Sequence, residues 1–352
     1  MIDPNSPNFD PGGVPDRADN RDFKWEEIGF GTSPFDWQKG FDIEFELSTK
    51  LPVKDQDGSY SCGGQAWSQY AGVLEATFSG TLEERSAKFF YAQTYQKGGG
   101  SSGRDNANVF IDQGAAREGV LTSYENGQPP TEIFMTRGQD ITDTARNDAN
   151  FNRGYSYAQT GIDIESIAQA VRDNSGVVIG IDGSNNGTWL SAFPKPPKPG
   201  EKIWRHWIYG GKAKLFNGVK HIGCLNSWGT VAGDQGWQWI SENYINTFVP
   251  SLNAKAVWSG WTHVFNSSPP PVGFNHTFNL DLKLGMTGPE VTALQRALQI
   301  DGQFPTTVPT TGYFGTVTLG AVKKFQTKYL ISPVSGFCGP ITRKKLNSLF
   351  SH

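Results

Sequence analysis

A change of apolar period near residue 175 limits the possible folds more than any other feature of this chain. Before it, Ala66, Trp67, Tyr70, Ala71 and Leu74 return at intervals of three or four, and "DIESIAQAVRDN" (163–174) repeats that spacing. Such spacing lays one side of a helix against a core. After it, "GVVIGIDG" (176–183) is an unbroken apolar run, followed by "HWIYGGKAKLF", "VKHIGCLNSW" and "GWQWISENYI". Short β-branched and aromatic runs between glycines read as strands. Helices first and strands later in one unit predict an α+β fold. Further helices are expected over 81–95, where Thr81 and Glu84 have capping-box spacing, and over 108–120. "KGGGSSGRDN" (97–106) between them reads as a flexible loop.

"NSSPPPVGFNHTFN" (266–279) is a proline-stiffened linker, which sets the expected organisation. An N-terminal extension spans 1–34, a main domain 35–266, the linker 267–279 and a small domain 280–352. Within the small domain Val291, Leu294 and Gln295 recur as Val322, Phe325 and Gln326, and "GYFGTVT" (312–318) is echoed by "GFCGPIT" (336–342). The pattern predicts three helices joined by glycine turns. The extension is polar and proline-rich, with little regular structure expected. Its aromatic patch, "FKWEEIGF" (23–30), is expected either to strap along the body or to lie in the catalytic cleft as a short inhibitory segment, through Trp25 or Phe30.

The formal charge is −3 over 352 residues, so nothing global points to nucleic acid. Residues 280–352 carry eight Lys and Arg against three Asp and Glu, a net +5 on a body of −8. A basic module on an acidic body suits an anionic target. No stretch approaches the roughly 18 apolar residues of a membrane span. "MIDPNSPNFDPGG" has neither the basic start nor the apolar run of a signal peptide. Three scattered cysteines make no disulfide framework, and His263, His276 and His352 show no metal-ligand spacing. Neither metal nor cofactor is expected, and the expected form is a monomer.

The chemistry centres on Cys62, where a helix should begin. A helix N-terminus lowers a thiol pKa. Alone, a buried cysteine is more often packing; its company changes the reading. His206 opens an apolar strand 144 residues on, and Asn226 in "NSWG" follows 20 residues later. An imidazole can take the thiol proton, and an amide at a strand end can orient the ring. His221 and Cys224, on the strand entering that turn, read as sheet and core residues, and Cys338 as core of the small domain.

These segments resemble the papain family of cysteine peptidases. "PVKDQDGSYSC" (52–62) resembles the family's Pro-Val-x-x-Gln start with its nucleophile six residues later. "HWIYGG" resembles its histidine strand, "NSWGTVAGDQGWQWI" (226–240) its Asn-Ser-Trp-Gly turn and following strand, and "PFDWQKG" (34–40) the start of the mature enzyme. The resemblance covers about residues 35–265 and implies a two-lobed fold, one lobe helical and one β-rich. It implies Cys62 as nucleophile, His206 as general acid and base, Asn226 as the residue orienting it and Trp228 as the cover over that bond. The Gln56 side chain and the Cys62 backbone N–H would form the oxyanion hole. Gly99 and Gly100 would hold the substrate backbone. Val178 is a candidate pocket residue, and Trp204 and Trp207 could line pockets or simply pack. The chain departs from the family at Gly63, where tryptophan is usual, so a more open mouth is expected. It also lacks the cysteine near Ser59 and Tyr60, and a long helical propeptide.

"LKLGMTGPEVTALQRAL" (282–298), "GYFGTVTLGAVKKFQ" (312–326) and "GFCGPITRKKL" (336–346) resemble the peptidoglycan-binding domain. The resemblance implies a shallow groove for muropeptides, with Tyr313, Phe314 and Thr318 as candidate contacts. The whole chain is expected to be a cysteine endopeptidase acting through a thioester acyl-enzyme on protein or peptide substrates. Its small domain would tether it to bacterial peptidoglycan, outside the cell or in its wall. A lysin cleaving peptidoglycan peptides and a catalytically degenerate wall binder are the alternatives.

Overall fold

The computed structural model describes residues 3–19, 22, 24–25, 34–150, 156–263, 276–305 and 308–350. The chain divides into two compact units, Met1–Val264 and Phe265–His352. Most of the linker expected over 267–279, and Phe30, lie outside the described residues.

The first unit is built on an antiparallel sheet. Its strands run in the order Tyr157–Gln159, Val257–His263, Val177–Ser184, Ile203–Phe216, Val219–Leu225 and Trp237–Ser241, and Phe41–Asp42 also pairs with Ile203–Phe216. One face buries Val177, Ile179, Ile181, Ile222, Ile240 and Tyr244 beneath the helix Ile164–Asp173. That helix starts where Asp163 accepts from the Glu165 and Ser166 amides, the cap its sequence suggests. On the helical side, Cys62–Ser79 packs against Ala87–Thr94, Gly103–Asp112 and the Ile203–Phe216 strand. The Tyr70 hydroxyl, donating to Asn174 O (2.9 Å) and accepting from His263 N (2.9 Å), ties the two parts together.

Two helix expectations fail at their ends. The helix expected over 81–95 is Ala87–Thr94, capped by Ser86, whose side chain accepts from Phe89 N. Tertiary pairing takes the residues before it: Glu84 binds the buried Lys54 at 3.0 Å, and Arg85 is buried against Glu75 and Glu83. The helix expected over 108–120 is Gly103–Asp112, capped by Ser102 on Asp105 N, so it begins inside the segment read as a flexible loop. Asn106 pins that start through bonds to Ser101 Oγ (2.9 Å) and Ser102 O (2.7 Å).

The second unit is three helices, Pro289–Ile300, Thr316–Lys328 and Pro340–Phe350, around Val291, Leu294, Phe314, Val322, Phe325 and Leu346. The sequence repeat has a physical basis. The buried Gln295 accepts from Gly312 N and donates to Tyr313 O and Thr318 Oγ1. Gln326 repeats this, accepting from Gly336 N and donating to Phe337 O and Thr342 Oγ1. Each glutamine satisfies a glycine turn and the helix start after it, so neither turn leaves a buried polar group unpaired. Gln295→Leu should destabilise this unit by about 1–3 kcal/mol, the cost of buried groups left unsatisfied. Hydrogen exchange at the Gly312 amide should accelerate, while that at Gly336 follows only the global loss; equal local acceleration at both turns would contradict it.

Candidate active site

Cys62 is the first residue of its helix, and Ser61 before it makes no side-chain cap. The Ser61 hydroxyl is engaged instead by Ser59 Oγ (2.7 Å) and Gln65 Nε2 (3.1 Å). The free helix N-terminus therefore falls on the thiol, where it favours a thiolate. Gly63 and Gly64 follow because the helix start is crowded. A Cβ on Gly64 would lie 2.7 Å from Ala87 O, and one on Gly63 2.5 Å from Ser101 Oγ. The expectation of a more open mouth at Gly63 is corrected here, since Ser101, Asn106 and Trp207 fill the space.

The adjacent strand brings Trp207 to the thiol, with His206 the residue before it, and Trp207 N donates to Cys62 Sγ at 3.4 Å. His206 Nε2 meets Asn226 Oδ1 at 2.8 Å, and its Nδ1 has no hydrogen-bond partner among the described residues. Trp228 lies over the ring at 4.9 Å between centroids and is itself buried. Gln56 is locked to the same turn, accepting from Ser227 Oγ at 2.7 Å while its backbone N–H donates to Ser227 O at 2.9 Å. The structure thus gathers Cys62, His206, Asn226, Gln56 and Trp228 into one centre. His221 lies apart, its ring against Phe193 and Phe216, and Cys224 is core.

The N-terminal segment covers this centre. Trp204 Nε1 donates to Pro4 O (3.3 Å), and Phe9 stands edge-on to both Trp204 and Trp228, each at 5.3 Å. Gln56 Nε2 then donates to Pro11 O at 3.0 Å, so the side chain expected to hold an oxyanion holds a carbonyl of the same chain. Gly12 O accepts from Ser101 N, and Gly13–Val14 pairs parallel with Ser101–Ser102. Gly12 has φ of +92°, and a Cβ on Gly13 would lie 2.6 Å from both Arg205 C and His206 N. Only glycine passes between these backbone walls. Beyond them Asp16 accepts from Arg104 N (2.8 Å) and Trp261 Nε1 (2.7 Å), and Asp22 pairs with the Arg104 guanidinium. The covering segment is therefore Pro4–Asp16, upstream of the aromatic patch that suggested one. Lys24 and Trp25, the described part of that patch, lie elsewhere: Lys24 bridges to Gln159 on an edge strand, and Trp25 is buried.

Burial sets the charge state. It pushes the Cys62 thiol far above its ordinary range, with the Asp10 charge adding to the effect. It pulls His206 down to about 4 against the Asn226 bond, which favours the charged ring. Both effects favour a neutral thiol and a neutral imidazole.

The remaining candidates separate. Gly99 and Gly100 flank the covering segment, and a Cβ on Gly100 would lie 2.3 Å from Gly12 O. Val178 and Trp207 are fully buried, Val178 opposite Tyr209 and Trp261, and Trp207 bonded to Ser101 O and packed on Trp258. Neither is open to solvent; both fill the junction between helices and sheet. In the second unit Phe314 is core and Thr318 is buried on Gln295, so neither can touch a ligand, and Tyr313 alone is half exposed. Sequence reading missed Phe9, Gly12, Gly13, Asp16 and Arg104. "PGGVPD" carried the only signal, two glycines between prolines. Among the described residues no cluster of His, Cys, Asp or Glu could hold a metal, and no helix is long and apolar enough to cross a membrane.

A histidine held neutral under a cover, with its pKa lowered, stabilises the cover above its free value and loses that stabilisation as pH falls. Protection of the Ser101 amide against hydrogen exchange, corrected for the intrinsic rate, should be constant above pH of about 6.5. It should fall toward pH of about 4. Constant protection across that window would contradict this account.

Comparison with solved structures gives a papain-like fold for the first unit. Xylellain, a cysteine protease from Xylella fastidiosa, superposes with a TM-score of 0.58 at 19% identity, covering 72% of this chain and 94% of that one. The proform of the ragweed pollen allergen Amb a 11, a cysteine protease, gives 0.52 at 18% identity, with 68% and 67% covered. Digestive procathepsin L 3 of Tenebrio molitor larval midgut gives 0.51 at 18%, with 66% and 72% covered. No curated protein matches the sequence. Residues 287–346 match the family model for a peptidoglycan binding domain. The chain joins a papain-like cysteine protease fold to a peptidoglycan-binding domain.

Proposed function

We propose that the chain is a cysteine endopeptidase held latent by its own N-terminal segment and tethered to bacterial cell wall by its second unit. The observation that carries this reading is the His206 ring, anchored through Nε2 to Asn226 with Nδ1 unpartnered among the described residues, one residue before Trp207, whose amide meets the thiol at a helix N-terminus. Once uncovered, Nδ1 takes the thiol proton and the Cys62 thiolate attacks a peptide carbonyl. Gln56 Nε2 and the Cys62 N–H hold the oxyanion, as Gln56 already holds Pro11 O. The imidazolium protonates the leaving amine, and water then releases the thioester with His206 as base. Trp228 keeps water from the ring bond, and Gly99 and Gly100 take the substrate backbone.

Latency follows from occupancy. Residues 4–16 occupy the Gln56 amide proposed as an oxyanion donor and pack on Trp228 and the His206 backbone, next to a thiol that is fully buried. Two of the similar structures are proforms, which agrees with a covered state. The match to a peptidoglycan-binding domain supports a site of action in or near the wall, and on this reading the protein acts outside the cell as a monomer. It also favours a second reading, in which the bonds cut are those of peptidoglycan peptides. Tethering raises local concentration for either substrate.

Gly13→Leu in the full chain cannot pass between the Arg205 and His206 backbones. It should release the segment and raise peptidase activity and Cys62 alkylation at least about tenfold, the equivalent of roughly 1.4 kcal/mol. Adding Cys62→Ala should abolish the activity and leave binding to purified wall intact. Casein and purified wall as parallel substrates separate the two readings. Alkylation without turnover on either would sink the peptidase reading, and unchanged alkylation would sink the latency.

A further inference from the structure

We propose that Gln238 is a positioning residue that dictates which nitrogen of the His206 ring carries the proton. The proposal concerns the centre read above as catalytic and rests on that reading for its purpose, not for its test. Gln238 is fully buried on the strand Trp237–Ser241. Its Nε2 reaches Trp189 O at 2.6 Å and Ser191 O at 3.2 Å. Main-chain carbonyls only accept, so these two oxygens fix the amide with its NH2 toward the 189–191 loop and Oε1 on the other side.

Oε1 lies 2.7 Å from Asn226 Nδ2. An amide oxygen also only accepts, so Asn226 must turn its NH2 toward Gln238. Its Oδ1 then faces His206 Nε2 at 2.8 Å and accepts as well from Ser227 N at 2.7 Å. Oδ1 has no proton to give, so Nε2 bears the ring hydrogen. A neutral imidazole has one N–H, which leaves Nδ1 with a lone pair and no other partner. The tautomer needed to accept a thiol proton is thus assigned through a chain of one-way hydrogen bonds that begins at two loop carbonyls. Every link but the one to Ser191 O is buried, where a mispaired polar group is expensive.

Without the Gln238 oxygen, the Ser227 amide is the one group among the described residues that still holds the Asn226 side chain against a flip. A flipped Asn226 would offer Nδ2 to Nε2, draw the ring into its Nδ1–H form and leave no base for Cys62. Nothing in the motifs around Asn226 marks position 238, which lies 12 residues on inside an aromatic strand.

The test uses the full chain labelled with 15N-histidine, whose long-range ring correlations report which nitrogen is protonated. It needs no turnover, so failure of the peptidase reading leaves it readable. The unaltered chain should show His206 as the Nε2–H tautomer. Gln238→Met should lose that pure signature and give a mixture of the two forms. Gln238→Glu keeps an oxygen for Asn226 Nδ2 and should retain the Nε2–H form, although it loses both bonds to the loop and some stability. Asn226→Ala and Asn226→Ala with Gln238→Met should give the same ring spectrum, because the effect passes through Asn226. If the Met variant does not fold, Gln238→Asn, too short to span both partners, carries the same expectation. A pure Nε2–H signature in the folded Met or Asn variant would overturn the proposal, as would a mixture in the Glu variant or a further change in the double variant.

Discussion

The register between the strands Ile203–Phe216 and Val219–Leu225 is the constraint on which the candidate site depends. Tyr209 stands opposite Leu225, and from that pairing His206 and Asn226 fall at the same end of the two strands, close enough for a 2.8 Å bond. Side chains alternate faces along a strand, so a slip of one residue would turn His206 away from Cys62. The apolar face carrying Ile208, Ile222 and Ile240 prevents that slip, because shifting it would expose the core. The same packing that stabilises the sheet therefore aims the imidazole, and Gln238 on the next strand sets its polarity.

Covering the site works against the electrostatics that the helix N-terminus provides. The helix field favours a thiolate, whereas desolvation penalises both the thiolate and the imidazolium. With Cys62 and His206 buried, desolvation wins, and the pair is held uncharged. Under the proposed function the cover need not distort the centre to silence it: removing water and occupying the Gln56 amide would be enough, and both would reverse once the segment leaves. Its hold comes from a few local features: Phe9 against two tryptophans, a glycine pair between backbone walls and Asp16 on Arg104 and Trp261.

The second unit shows how a repeat in sequence becomes a repeat in hydrogen bonds. Gln295 and Gln326 look like polar interruptions of apolar helices. Each both accepts from a turn glycine and donates to the following turn. Their burial costs little because every polar atom on the two amides is used. The adjacent Phe314 is drawn inward by the same turn, which is why a surface role for it fails while Tyr313 remains available.

Local pattern in the sequence determined the α+β division, the helix carrying Cys62 and the Ile164–Asp173 helix with its Asp163 cap, since each depends on neighbours a few residues apart. Spacing and motif likewise named Cys62, His206, Asn226 and Gln56, which chemistry constrains by residue type. The starts of the helices at Ala87 and Gly103 were not legible, because Lys54, Arg85 and Asn106 decide them through contacts across the fold. A covering segment was suspected in the extension, but not which residues form it: a polar, glycine-containing segment has no periodicity, and its fit exists only against walls built from residues 60, 100 and 205–206. Gly63 illustrates the limit most plainly. A missing side chain suggested an open site, but Trp207, 144 residues away, fills the gap, and only the tertiary structure brings the two together.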